Sequence, residues 1–161
     1  MQGNEQVIAG LNQGIQAELT MILQYIVHAE MCNNWGYTAY GALLTKQAMD
    51  EMRHLDSFIE RVLYFDGEPN VNVTPAPKVG KTFKAQVEND LAAEREAVRM
   101  YNAAARVCVG AGDNGTRELF ESILKQEEEH VDFLEAQLHI INEIGADNYL
   151  SRQMKKSGED A

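Results

Sequence analysis

All three prolines of this 161-residue chain, Pro69, Pro75 and Pro77, lie in one short segment, and the long stretches on either side have none. Proline breaks or kinks a helix interior, so each flank is free to form long helices. Apolar residues recur there at helical spacing. Val7, Leu11, Ile15, Ile22 and Ala29 mark a first helix from about Asn4 to Asn34, and Asn33-Asn34-Trp35-Gly36 turns the chain. Leu44, Ala48, Leu55, Phe58 and Val62 mark a second, from about Thr38 to Phe65, stopped by Asp66-Gly67-Glu68-Pro69. Residues 66–82 lack helical period, and such length predicts a crossover between distant ends of the fold. A third helix is predicted from about Phe83 to Val109, ended by the Gly110–Gly115 turn cluster, and a fourth from about Thr116 to Ile144. A short amphipathic piece, Asp147 to Met154, closes a single domain over residues 1–154 and precedes a polar tail, 155–161. Two hairpins joined by a crossover make an all-α four-helix bundle with one long connection and a short fifth C-terminal helix.

The third stripe runs through Val87, Leu91, Val98, Tyr101 and Ala105 and the fourth through Phe120, Ile123, Leu134 and Ile141, and each of the four carries a carboxylate near its middle: Glu18, Glu51, Glu94 and Glu127. An isolated charge in an apolar core costs several kcal/mol or is neutralised, so four facing one another require cations. Glu51-x-x-His54 and Glu127-x-x-His130 place each pair on one helix face. A constant offset of 76 residues relates 18 to 94, 51 to 127 and 54 to 130. Each hairpin therefore supplies one Glu plus one E-x-x-H, and the two halves meet about a pseudo-two-fold axis. Four carboxylates and two imidazoles are hard donors that suit iron or manganese better than zinc. Four negative charges match two divalent ions.

Composition agrees. The chain is 45% apolar with a net charge of −11, which argues against binding nucleic acid or an anionic membrane. Cys32 and Cys108 stand far apart with no CxxC, so neither a disulfide scaffold nor a zinc ribbon organises it. Met1–Gln6 has no cationic segment followed by an apolar one, and no run approaches membrane-spanning length, so a cytoplasmic protein is expected.

Six ligands on four helices are a known pattern of dimetal carboxylate bundles, and over roughly residues 1–154 the chain resembles bacterioferritin. The resemblance rests on Asp50-Glu51-Met52-Arg53-His54 and Glu127-Glu128-Glu129-His130, on Asn34-Trp35-Gly36 and Ile59-Glu60-Arg61, and on Gly67-Glu68-Pro69-Asn70 and Asp90-Leu91-Ala92-x-Glu94. It implies a cytoplasmic homo-oligomeric shell of 24 subunits, built from two-fold dimers. That shell would be a ferroxidase, oxidising Fe(II) with dioxygen or hydrogen peroxide and storing it as ferric mineral. It implies two irons per subunit, with Glu18 and His54 on one, Glu94 and His130 on the other, and Glu51 and Glu127 bridging. It further implies a haem b shared between two subunits and ligated by Met52 from each. Met52 turns outward, about 100° round the helix from Glu51. A small [2Fe-2S] ferredoxin is the implied partner for iron release.

Tyr25 is placed beside Glu18 and Glu94 as a hydrogen-bond or electron donor, or as a core tyrosine. Some positions depart from the family's pattern. Lys46 stands where a histidine that binds inner-surface iron with Asp50 is often found, and Lys46 and Asp50 read as an ordinary i,i+4 ion pair. Phe58 and Phe133 replace redox-active Tyr and Trp of some members. His28 and His139 have no carboxylate at motif spacing and read as surface or interface histidines. The competing reading is a rubrerythrin-like di-iron oxidase or peroxidase without storage; the missing Cys-rich module argues against it.

Overall fold

Asn4 starts the first helix: its side-chain oxygen accepts from the backbone N–H of Gln6 and Val7, two groups that no helical carbonyl reaches. The computed structural model describes residues 1–154, and the polar tail expected over 155–161 lies outside them. Five helices follow in order, α1 (Glu5–Asn34), α2 (Thr38–Tyr64), α3 (Phe83–Ala111), α4 (Asn114–Ile144) and α5 (Ala146–Ser151). No strand occurs among the described residues, and none of their helices is long and apolar enough to cross a membrane.

The third turn is tighter than the glycine cluster suggested. Helix α3 runs on through Gly110 and Ala111, and Gly112 stops it by taking the left-handed conformation, φ +70°. Asp113 caps α4 at once, accepting from the Thr116 N–H at 3.0 Å. Only Gly112 and Asp113 separate the two helices. Similarly α5 starts at Ala146 and ends at Ser151, shorter than the expected 147–154.

Helices α1 and α2 form one antiparallel hairpin and α3 and α4 the other. The crossover runs back along α1, attached at regular steps. Asn12 donates to the Glu68 carbonyl and accepts from the Asn70 N–H. Thr20 donates to the Pro75 carbonyl, Gln24 accepts from the Lys78 N–H, and His28 accepts from the Gly80 N–H. These α1 residues are spaced by multiples of four, so they form a row that winds slowly round the helix. The connection is thus a strut along α1, and the N–H groups of Asn70, Asn72, Lys78 and Gly80 are satisfied by side chains in place of a helix or sheet ladder.

Inside, the stripes interlock. Val7, Leu11, Ile15, Leu44, Phe58, Val62, Val87, Phe120 and Leu134 are all buried. Leu55, Val98 and Ala105 of the expected stripes are only partly covered. Helices α1 and α3 pack along their length, whereas α2 and α4 meet at few points.

Candidate metal centre

All four stripe carboxylates are in the core: Glu18, Glu51, Glu94 and Glu127 each expose 0% of their surface. One comes from each long helix. His54 follows Glu51 by three residues and His130 follows Glu127 by three, so each imidazole lies beside its own helix's carboxylate. Donor atoms of Glu18, Glu51, His54 and Glu127 lie within 4.8 Å of one another, and so do those of Glu51, Glu94, Glu127 and His130. The two groups share Glu51 and Glu127.

The approach is mutual. His54 Nδ1 is 2.9 Å from Glu51 Oε2 and 3.1 Å from Glu127 Oε1. His130 Nδ1 is 3.1 Å from Glu51 Oε1, 3.2 Å from Glu127 Oε2 and 3.3 Å from Glu94 Oε1. Yet Glu18 Oε2, Glu51 Oε1, Glu94 Oε2, both oxygens of Glu127 and His130 Nδ1 are buried without a hydrogen bond. Buried polar atoms are nearly always paired. Carboxylate oxygens and imidazole nitrogens converging on a common space, with more acceptor lone pairs than the two histidines and two tyrosines can satisfy, fit cations held in that space.

Electrostatics agrees with that picture. Burial, then the charge on Glu51, holds the Glu18 and Glu94 carboxyls well above the usual carboxylate range. Burial alone would lower the two histidines, but the surrounding carboxylates outweigh it: His130 is pushed up to about 12 and His54 is raised as strongly. Burial would raise Glu127, but His130 and His54 pull it down to about 2. Without metal, the cluster retains protons as its counter-charge.

Tyr25 is buried and its hydroxyl donates to Glu94 Oε1. Sequence reasoning placed Tyr101 on the apolar stripe and no more. In the structure its buried hydroxyl donates to Glu18 Oε1. The signal was present, since 25 and 101 differ by the same 76 residues as the ligands.

Met52 is 53% exposed beside the fully buried Glu51, so it does face away from the bundle. Lys46 Nζ lies 3.0 Å from Asp50 Oδ2, the expected ion pair, and Arg53 also contacts Asp50. Both Lys46 and Asp50 line a concavity of about 470 Å³ between α2 and α4, with Gln126, Glu129, His130 and Phe133. This concavity reaches the cluster through His130, whose side chain is 11% exposed. Phe58 is buried and contacts no cluster donor atom by hydrogen bond, as a phenylalanine must. His139 is exposed as expected.

His28 corrects the sequence reading: it is fully buried. Its Nε2 accepts from the Gly80 N–H, which fixes the proton on Nδ1, and Nδ1–H donates to Asp90 Oδ1 at 2.9 Å. Gln24 donates to the same oxygen at 2.8 Å. The partner carboxylate was invisible to motif spacing because it comes from α3, 62 residues away.

Comparison with known proteins places this architecture. A family model described as a ferritin-like domain matches residues 8–144. A protein named bacterioferritin from Mycolicibacterium paratuberculosis is 38% identical over 149 residues, covering 92% of this chain and 94% of the relative. One of the same name from Brucella melitensis is 35% identical, covering 92% of each. Another from Mycobacterium leprae is 37% identical, covering 92% of this chain and 94% of the relative.

Proposed function

Since this chain belongs to the bacterioferritin family of ferritin-like proteins, we propose that it stores iron, oxidising Fe(II) at the buried cluster and holding the product as ferric mineral. The convergence of unpaired carboxylate oxygens on two overlapping donor sets carries this reading. Iron enters as substrate. Glu18 and His54 face one ion, Glu94 and His130 the other, and Glu51 and Glu127 reach both. Two ferrous ions supply the two electrons that convert one dioxygen and two protons to hydrogen peroxide, or one peroxide and two protons to two waters. The helices fix the donors in advance, so a second Fe(II) adds to a site that needs no rearrangement. The protons on His54, His130, Glu18 and Glu94 leave as metal binds, and Tyr25 restrains Glu94.

Storage requires a shell, and we assign this chain to a homo-oligomer of 24 subunits assembled from two-fold dimers. The concavity between α2 and α4, with Asp50 and Glu129, is the route by which oxidised iron leaves the cluster. The Lys46–Asp50 pair makes an additional inner-surface iron site there unfavourable.

A haem fits the outer face. Met52 offers an exposed thioether, and the same hairpin exposes Met49, Leu23, Ile26 and Val27, an apolar setting suited to a porphyrin. In a two-fold dimer Met52 and its mate would hold haem b, which supplies a one-electron relay for reductive release, with a small [2Fe-2S] ferredoxin as electron source. The protein acts in the cytoplasm.

Aerobic loading with ferrous iron, followed by sizing and iron analysis, tests the proposal. Hundreds of irons per large particle are expected. About two irons per chain and no further uptake would leave an oxidase without storage and overturn the storage reading.

A further inference from the structure

Two tyrosines face the metal centre in a reciprocal arrangement. Tyr25 follows Glu18 on α1 by seven residues, and Tyr101 follows Glu94 on α3 by seven. Helical side chains lean toward the N-terminus of their helix, so each phenol leans back toward the cluster. Because α1 and α3 are antiparallel, the two arrive from opposite ends and cross over. Tyr25 donates to Glu94 and Tyr101 donates to Glu18. In both cases the bonded atom is Oε1, and in both Oε2 is left buried and unpaired.

We infer that Tyr101 is a positioning residue for Glu18, the pseudo-symmetric counterpart of Tyr25, and that its hydroxyl leaves Glu18 a single free oxygen, Oε2, for metal. The inference rests on the dinuclear reading above. Tyr101 is itself held firmly, its ring packing edge-on to Phe58 at 5.4 Å and against Phe120 at 5.8 Å. Phe58 in turn fits the notch left by Gly14, where a Cβ would stand 2.8 Å from the ring. Orientation therefore passes from a glycine in α1 through two aromatic rings to a carboxylate.

Tyr101→Phe keeps the ring and deletes only the donor. The test is an anaerobic Co(II) titration of the intact metal-free protein, followed by its d–d absorption, with circular dichroism and elution volume confirming fold and assembly. Wild type is expected to take two Co(II) per chain, and Glu18→Ala to lose one of them. We expect Tyr101→Phe to weaken one step by about 10-fold, with an altered spectrum, and to leave the other step unchanged. Tyr25→Phe weakens one step in the same way, and the double variant weakens both. A tyrosine that merely fills the core would leave the cobalt steps where they are. Both affinities within twofold of wild type in Tyr101→Phe would overturn the role of Tyr101 alone. Fewer than two Co(II) on the wild type would overturn the dinuclear reading, and this inference with it.

Discussion

His54 on α2 holds its Nδ1 3.1 Å from Glu127 Oε1 on α4, so an ion pair joins the two hairpins through the bundle's centre. This pair and its neighbours set the pH response. Glu18 and Glu94 titrate above their usual value of 4.5 in the metal-free protein, and His130 moves from 6.5 to about 12. A carboxyl with a raised folded pKa loses stability as pH rises past its unfolded value. A histidine with a raised folded pKa contributes fully below its unfolded value and loses that contribution as pH rises toward the folded one. Both act in the same direction.

The metal-free protein should therefore lose stability steadily from pH 6.5 to 9, while the loaded protein, whose ligands no longer carry protons, should change far less. Paired guanidinium unfolding curves across that range check this. A metal-free midpoint that rose with pH would contradict it.

Glu94→Ala removes one donor that the second quartet does not share with the first. Fast Fe(II) oxidation should fall by at least about 10-fold in stopped-flow traces, with particle size unchanged. Stability should move by less than about 2 kcal/mol, because the lost repulsion offsets the unpaired Tyr25 hydroxyl.

Met52→Leu preserves volume on an exposed face and removes the thioether. The expected result is an assembled protein without a Soret band that oxidises iron at the normal rate. A full haem complement in this variant would remove Met52 from the haem reading.

Gly80→Ala should be costly. A Cβ there would stand 2.3 Å from the Gln86 backbone nitrogen, and the same residue donates its N–H to His28. A loss of more than about 2 kcal/mol is expected by chemical denaturation, from strain and a lost buried bond together.

Most of the bundle was legible because its signals are local. Helix spacing, proline placement and the two E-x-x-H pairs each occupy a few consecutive turns, and the offset of 76 residues joins them without any tertiary knowledge. Three things escaped. Helix α3 ran past Gly110 because, among the glycines of that turn cluster, it is Gly112 that takes the left-handed conformation and ends the helix. Tyr101 read as an apolar-stripe residue because its acceptor, Glu18, lies 83 positions away. His28 read as surface because its carboxylate partner and its loop donor come from two other segments of the chain. Burial of a polar side chain is a property of the packed fold, and periodicity alone does not report it.

The bonds around Asp90 have a consequence for the metal centre. Apolar faces attract without direction, and two such helices can slide past each other by a turn, about 5.4 Å, with little loss. Gln24 and His28 on α1 both clasp Asp90 on α3, about a turn from Glu94. A slip would break two buried polar bonds at once. These three residues therefore act as an axial latch, keeping the half-site on α1 level with the half-site on α3 before any ion arrives.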